Sequence, residues 1–342
     1  MTQMPRPCRR WTLPLAVLAL CLALPGCEAP PPAPESLVVA EAHLPVYGLL
    51  YIAEREGLFH DAGLTVTFQR HDTGRDALAA VVAGQADVAT PYDTPVVINI
   101  QQGRPIRVLS TLAVTNGYTA VVARADRGIT EPVQLRGKRI AVPIDTSADY
   151  LLSLLLANAG VAPAEVQRVP LMPAAATAAL IQGQVDAAAI WSPFTQQAET
   201  ALGSAAVKVF TSPLYLETIT LSTIEPVLRA RPEALKRLLR ALVRAEDLAL
   251  REPERALQDV LAVLDDLPPD GVREHWQRLQ PQIRLDNLLL ATLTGELKWY
   301  AAVPPAQPPG EAPVLAIDPR PYLAPELLRA VRPQAVTLTP AP

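Results

Sequence analysis

Two stretches of this chain repeat one pattern of residues, 99 positions apart. "GQADVATPYDTP" begins at Gly84 and "GQVDAAAIWSP" begins at Gly183, each after an Ala-rich stretch that reads as a helix. In both, the helix would stop at the glycine and a short strand would follow. Thr94 or Ser192, each followed by proline, would then start the next helix as its N-cap. The repeat therefore predicts two similar folding units.

The rest of the chain fits two such units. From Leu37, short apolar runs alternate with helical stretches, which is typical of an α/β fold with a mainly parallel sheet. One set of strands and helices runs to about Arg124, and a second starts at "KRIAVPI". After Glu225 the pattern changes to long helices with leucines on one face. We expect these helices to pack against the first unit.

The first 26 residues are typical of a secretory signal, with Arg6, Arg9 and Arg10 before an apolar core. The apolar stretch is 16 residues long, whereas a membrane span needs about 20. "LPGC" resembles a bacterial lipobox and predicts lipidation of Cys27, although a plain secretory peptide is the alternative. The run "EAPPPAPES" is typical of a stiff tether.

The charge balance argues against a nucleic-acid partner. Without the first 26 residues, 27 basic residues remain against 34 acidic ones, a net charge of −7. Nucleic-acid binding relies on basic residues that neutralise phosphates. We therefore expect a different kind of partner.

The predicted turns also indicate where a ligand would bind. Each repeat places a helix start at the carboxyl end of a strand, where unpaired backbone N–H groups and a partial positive charge attract anions. Open α/β sheets bind their ligands beyond these strand ends. Aromatic and short polar residues occupy four such turns: Tyr92 and Asp93, Trp191, "TGR" at 73–75 and "DTS" at 145–147. This composition suits a small polar ligand.

Four longer stretches together resemble a known family. They are "YGLLYIAEREGLFHDAGLTV", "ALAAVVAGQADVA", "AALIQGQVDAAAIWSPF" and "ARPEALKRLLRALVRAEDLALREPERA". They are similar to type 2 periplasmic solute-binding proteins of ABC importers, in the branch that binds nitrate, sulfonates, taurine and thiamine-pyrimidine precursors. The resemblance implies two Rossmann-like α/β lobes with a ligand cleft between them. Two crossover strands would join the lobes, near Val121–Arg124 and Thr218–Thr223.

We expect the following division of the chain: signal peptide 1–26, tether 27–36, lobe I 37–124, lobe II 125–220, helical return on lobe I 221–302, Pro-rich loop 303–313, and C-terminal helix and tail 314–342. The resemblance also implies a set of ligand contacts at the strand-to-helix turns. These are His43, Tyr47, Gly48, Thr73, Gly74, Arg75, Tyr92, Asp93, Thr94, Asp145, Thr146, Ser147, Trp191 and Ser192.

Several of these residues have a purely structural alternative. Thr94, Thr146 and Ser192 could be helix caps alone, and Asp93 could complement a helix dipole. Arg75 could pair with Asp72 or Asp76 in solvent. The tyrosines could pack on a lobe surface, and Trp191 could be part of the core.

The resemblance implies a receptor without enzymatic activity, cofactor or metal. The histidines lack the spacing of a metal site, and the sequence has no nucleophile elbow, P-loop or dinucleotide turn. We expect a monomer in the cell envelope, lipid-anchored on the periplasmic or outer side of the cytoplasmic membrane. It would pass its solute to an ABC permease.

The nature of the ligand stays open between two classes. Helix starts and Arg75 favour a sulfonate, nitrate or taurine-like oxyanion, whereas Asp93, Asp145 and the aromatic residues would suit an amino-pyrimidine. Two other functions are alternatives: an envelope sensor, or the eukaryotic branch that makes the thiamine pyrimidine. That enzyme branch carries a cysteine-rich stretch, whereas this chain has no cysteine after Cys27.

Overall fold

A computed structural model of the protein describes residues 1–2, 34–302 and 318–339. The expected signal segment, Cys27 and the loop at 303–313 lie outside these residues, as do most of the tether and parts of the tail. The part from Pro34 onward is one compact unit. No helix within the described ranges combines the length and apolarity that crossing a membrane requires.

The described residues form eleven strands and thirteen α-helices. The strands are β1 (Glu35–Glu41), β2 (Leu64–Arg70), β3 (Val88–Ala89), β4 (Ile106–Thr115), β5 (Thr119–Arg124), β6 (Arg139–Val142), β7 (Gln167–Pro170), β8 (Ala187–Trp191), β9 (Val207–Phe210), β10 (Glu217–Ile224) and β11 (Gln280–Pro281). The helices are α1 (Gly48–Arg55), α2 (Leu58–Asp61), α3 (Gly74–Val82), α4 (Asp93–Gln101), α5 (Ser147–Asn158), α6 (Pro173–Ile181), α7 (Phe194–Leu202), α8 (Glu225–Ala230), α9 (Pro232–Arg251), α10 (Pro253–Val263), α11 (Pro269–Arg278), α12 (Asn287–Ala302) and α13 (Pro325–Val331).

The strands form two sheets with matching topology. The first sheet has the order β11-β4-β10-β3-β1-β2, and the second has the order β7-β6-β8-β5-β9. In the first sheet β1 pairs in parallel with β2 and β3, and in the second sheet β6 pairs in parallel with β7 and β8. The antiparallel strand β10 lies between β3 and β4, and the antiparallel strand β5 lies between β8 and β9. The expected α/β fold with two lobes is confirmed.

The repeated sequence occupies equivalent places in the two lobes. Gly84 and Gly183 both have a φ of +73°, which glycine adopts without strain, and each ends a helix before the third strand. The aspartate three residues later bonds the neighbouring strand in both copies. The carboxylate of Asp87 accepts the N–H of Val38, at 2.8 Å, and that of Asp186 accepts the N–H of Arg139, at 3.0 Å. The repeat is therefore a structural device that fixes the third strand against the first.

The chain crosses between the lobes at 116–118 and at 211–216, slightly before the two segments expected from the resemblance. The expected segments are parts of strands β5 and β10, because the residues of each pair with strands of one sheet. Glu217 ties the two crossings together, since its buried carboxylate accepts the backbone N–H of Thr119 at 3.0 Å and the hydroxyl of Thr119 at 2.5 Å.

The long helices after Glu225 contact elements of the first lobe. Helix α9 contacts α1 and α2, and its leucines at 235, 238, 239 and 242 are fully buried. The C-terminal helix α13 packs on the same helix. Burial of about four leucine side chains contributes on the order of 6–12 kcal/mol of transfer free energy, so this face fixes the helical part to the lobe.

Candidate functional site

About 300 Å³ of empty space, which includes open solvent, forms a small cavity where strand-to-helix turns of the two lobes meet. Ten residues line it: Leu44, Tyr47, Thr73, Gly74, Arg75, Tyr92, Pro95, Thr146, Ser147 and Trp191. Eight of them belong to the set expected from the sequence, and the sequence analysis did not assign Leu44 or Pro95 to the site. Pro95 could have been found from the sequence, because it stands in the first repeat. For Leu44 the sequence offers only its place between His43 and Tyr47.

Three of the lining side chains present buried hydrogen-bond donors. The hydroxyl of Tyr92 and the indole Nε1–H of Trp191 have no partner among the described residues, and the hydroxyl of Tyr47 has only an interaction with the side chain of Thr90, which is outside hydrogen-bond geometry. These residues are 1%, 8% and 6% exposed. Burial raises the pKa of both tyrosines, so their hydroxyls stay protonated and act as donors near neutral pH. Donors of this kind require acceptor atoms, and the described residues supply none in hydrogen-bond geometry.

Two helix starts also open onto the cavity. Helix α3 begins at Gly74 after its N-cap Thr73, and α5 begins at Ser147 after its N-cap Thr146. The Thr73 hydroxyl accepts the N–H of Asp76 at 3.0 Å, while the Thr146 hydroxyl donates to the carbonyl of Pro143 at 2.7 Å. The first backbone N–H groups of such helices have no partner within the helix, and the helix dipole is positive there. The turns therefore add electropositive character to both walls.

Gly74 allows the start of α3 to approach the end of β3. A Cβ at this position would lie 3.1 Å from the Cα of Pro91 and 3.2 Å from the carbonyl oxygen of Thr90. Any larger residue would push α3 away from the strand and widen the cavity. Gly74 thus shapes the wall by its size.

Arg75 lines the cavity, but its guanidinium is already engaged. Nε and Nη2 donate to Asp76 Oδ1 at 3.1 and 2.9 Å, and Nη1 donates to the carbonyl of Ile144 at 2.7 Å. Asp76 belongs to α3 of the first lobe, whereas Ile144 follows β6 of the second. The side chain therefore bridges the cleft, and the ion pair with Asp76 that the sequence analysis weighed is present.

The other expected contacts do not line this cavity. His43 has a left-handed φ of +51°, and its Nε2 lies 2.9 Å from a carboxylate oxygen of Asp266. Its backbone N–H donates to the buried carboxylate of Glu41. Asp145, with a φ of +63°, lines a separate outer groove. Both side chains are thus directed to surroundings outside the inner cavity.

Gly48 lies in a tightly packed contact outside the cavity lining. A Cβ there would lie 2.2 Å from Cζ3 of Trp276 and 2.9 Å from a methyl of Val260. Sequence reasoning missed this role because Trp276 lies in α11, far along the chain.

We expect Gly48→Ala to destabilise the protein by about 1–3 kcal/mol, because the new methyl overpacks the contact with Trp276. Urea unfolding of both proteins measures this. Gly295→Ala is a suitable control, since a Cβ on this residue of α12 meets no atom within 4 Å. The control should be neutral or slightly stabilising. A Gly48 variant as stable as the wild type would show that Trp276 moves aside without cost.

The predicted N-caps of the two repeats are wrong. Helix α4 starts at Asp93 with Tyr92 as N-cap, so Thr94 lies inside the first turn, where its N–H donates to Asp93 Oδ1 at 2.9 Å. Helix α7 starts at Phe194 with Pro193 as N-cap. The Ser192 hydroxyl lies 3.1 Å from Nδ1 of His275, and α7 has no side-chain cap within the described part of the chain. Tertiary contacts thus decide both helix starts.

Asp93 is a buried structural carboxylate. Its oxygens accept the hydroxyl of Tyr215 and the backbone N–H of Thr218, both at 2.8 Å. Burial raises the pKa of Asp93 to about 6, although these hydrogen bonds stabilise the carboxylate and act to lower the pKa. Asp93 therefore anchors α4 to the second crossing. Neither Tyr215 nor Thr218 lines the cavity, so the carboxylate is directed away from it.

Two lobes of equal strand order, joined by two crossings and enclosing a cavity lined by helix starts, define the periplasmic binding protein fold. The chain belongs to the NMT1/THI5-like family, which matches residues 45–256. The expected resemblance is confirmed at the level of family and fold.

Individual proteins agree with this assignment. The taurine-binding periplasmic protein of Escherichia coli (strain K12) is 30% identical over 143 residues, covering 42% of this chain and 44% of that protein. The chain spans less than two thirds of the length of the curated relatives it matches.

Solved structures show the same fold. The alkanesulfonate-binding protein SsuA from Xanthomonas axonopodis pv. citri bound to MOPS superposes with a TM-score of 0.68 at 20% identity, covering 90% of this chain and 99% of that one. The nitrate-binding protein NrtA from Synechocystis PCC 6803 gives a TM-score of 0.67 at 16% identity, covering 88% and 90%.

Proposed function

We propose that the protein is a solute receptor that captures a small oxyanion, of the sulfonate, nitrate or taurine type, between its two lobes. The three buried donors of Tyr47, Tyr92 and Trp191 carry this proposal. A buried donor without an acceptor costs about 1–3 kcal/mol. A ligand with several acceptor oxygens removes this cost at all three positions.

The charge distribution supports an anion over an amino-pyrimidine. None of the ten lining residues carries a carboxylate, so an exocyclic amine would find no charged acceptor at the cavity wall. Asp93 bonds to Tyr215 and Thr218 instead, and Asp145 faces the outer groove. The helix starts of α3 and α5 supply N–H groups and positive dipole ends to an anion.

The cellular setting of the proposal follows from the sequence and the relatives. The lipobox-like residues before Cys27 support attachment to a membrane by a lipid, and relatives that are named periplasmic binding proteins support a place in the cell envelope. In this setting the receptor would present its solute to an ABC permease. It performs no chemistry in this role, and it acts as a monomer.

A thermal-shift screen of the purified protein tests the proposal. The panel contains nitrate, taurine, short alkanesulfonates and hydroxymethylpyrimidine. A ligand present at about 100 times its dissociation constant stabilises the folded protein by about 2.7 kcal/mol. We expect stabilisation by at least one oxyanion and none by the pyrimidine. Stabilisation by the pyrimidine alone would reverse the assignment of ligand class.

Trp191 contributes both a donor and an aromatic wall in this proposal. We expect Trp191→Ala to weaken binding of the oxyanion found in the screen by at least about tenfold, because it removes both. Trp191→Phe keeps a ring and should lie between Ala and wild type. Isothermal titration measures all three proteins. Equal affinities would remove Trp191 from the site.

A further inference from the structure

A second, outer groove borders the inner cavity, and its empty space of about 710 Å³ includes open solvent. This groove runs between α3 and α4, and Asp145 of the second lobe completes it. Its wall includes the apolar side chains of Ala79, Val82, Ala83 and Ile98. The wall also carries Asn99, Gln102 and Arg104, so an aliphatic chain would find its contacts on the apolar part alone.

Arg75 and Pro95 line both spaces. Pro95 has no long side chain to move, since its ring is part of the backbone of α4. The guanidinium of Arg75 crosses from α3 to the carbonyl of Ile144 at 2.7 Å and so stands between the two spaces. Arg75 is thus the movable part of the shared wall.

The bonds around Arg75 hold it in this place. Asp76 accepts two of its N–H groups, and the hydroxyl of Thr73 donates to the other oxygen of Asp76 at 2.8 Å. The sulfur of Met172 in the second lobe lies 3.8 Å from Nη2. Charge-assisted bonds are stronger than neutral ones, so the side chain resists displacement by an apolar group.

We propose that Arg75 limits the length of the ligand, an inference that rests on the proposed oxyanion receptor. The head group occupies the inner cavity against the donors of Tyr47, Tyr92 and Trp191. A short tail stays within that cavity. A longer tail reaches the outer groove only when the guanidinium leaves the Ile144 carbonyl and Asp76. Arg75 therefore selects ligands by their length, because its side chain forms part of the wall between the two spaces.

Isothermal titration with straight-chain 1-alkanesulfonates, from methanesulfonate to octanesulfonate, tests this role. For the wild type we expect affinity to fall by at least about tenfold once the tail exceeds the inner cavity. For Arg75→Ala we expect the fall to disappear, with long sulfonates bound at least about tenfold more tightly than by the wild type. Methanesulfonate measures any loss of head-group affinity caused by removing the Arg75 charge, and the length limit is read from the ratio of long- to short-chain affinities.

Two further variants sharpen the experiment. Arg104→Ala removes an arginine that lines the outer groove alone, and it should keep the length limit of the wild type. Asp76→Asn keeps Arg75 but weakens its fixation, so it should relax the limit partly. This variant also tests the proposal if Arg75→Ala fails to fold.

Each alternative result overturns the proposal in a recognisable way. Equal weakening of all sulfonates by Arg75→Ala would make Arg75 a contact of the head group. A wild-type series without a break, or a break that survives in both Arg75→Ala and Asp76→Asn, would remove the length limit. Failure of the wild type to bind any alkanesulfonate would instead refute sulfonate binding itself, and the length limit with it.

Discussion

Replacing both Tyr47 and Tyr92 by phenylalanine is expected to weaken oxyanion binding by at least about two orders of magnitude. Each hydroxyl would donate one hydrogen bond to a charged ligand, and such bonds contribute about 1.5–3 kcal/mol each. Both rings stay in place, so the shape of the cavity changes little. Isothermal titration of the ligand from the thermal screen measures the loss.

The same double variant is expected to stabilise the ligand-free protein. In the wild type the Tyr92 hydroxyl is buried without a partner among the described residues, and the Tyr47 hydroxyl is buried with only the Thr90 side chain beside it, so both cost folding free energy. Removing each hydroxyl should raise the free energy of unfolding, and the gain should not exceed about 1–3 kcal/mol per hydroxyl. Affinity and stability therefore change in opposite directions, which a purely structural role of the tyrosines would not produce.

Tyr51→Phe is the matched control. Tyr51 is as buried as Tyr47, but its hydroxyl donates to Glu41 Oε2 at 2.7 Å and does not line the cavity. This variant should lose stability, because it leaves a buried carboxylate oxygen without that donor, and it should keep ligand affinity. Reduced stability of the double variant with unchanged affinity would contradict the proposed site.

Local patterns in the sequence were sufficient for the two-lobed fold. Gly84 and Gly183 each end a helix in the left-handed conformation, and the strands after them take equivalent places in the two sheets. These features depend on residues close together in the chain, namely helix periodicity, glycine stops and short apolar runs. Most turn residues of the cavity could be named from the sequence because the resemblance to a known family implied ligand contacts at these turns.

Contacts between distant segments account for what the sequence did not reveal. Ser192 looks like an N-cap, yet its hydroxyl bonds to His275, a residue 83 positions later. Asp93 looks like a ligand contact beside Tyr92, yet its carboxylate is occupied by Tyr215 and Thr218. Gly48 appears in a ligand turn, whereas Trp276 determines its size. No local pattern encodes these partners, because each depends on how the second crossing and the later helices pack.

Glu217 is expected to make the protein less stable as pH rises from about 5 to about 8. Its carboxyl group joins the two crossings at Thr119, and burial raises its pKa from 4.5 to about 7. Between these values the folded protein keeps a proton that the unfolded chain has released. Stability therefore falls with rising pH in this window, and the full penalty of about 3 kcal/mol is present above the folded pKa.

Glu217→Gln should remove this contribution. The variant should match the wild type near pH 4.5 and exceed its free energy of unfolding by up to about 3 kcal/mol at pH 8. Part of the slope should remain, because burial also raises the pKa of Asp93, to about 6. Urea unfolding at a series of pH values measures both proteins.

The control for Glu217→Gln is Glu233→Gln, which removes an exposed carboxylate on α9 whose pKa is lowered by Lys236. This variant should keep the wild-type slope between pH 5 and 8, because Glu217 is unchanged in it. If the Glu217 variant kept the wild-type slope, Glu217 would be ionised in the folded wild type throughout this pH range. In that case the hydrogen bonds from Thr119 would outweigh the desolvation of the Glu217 carboxylate. The carboxylate would then stay ionised at every pH at which the protein is folded.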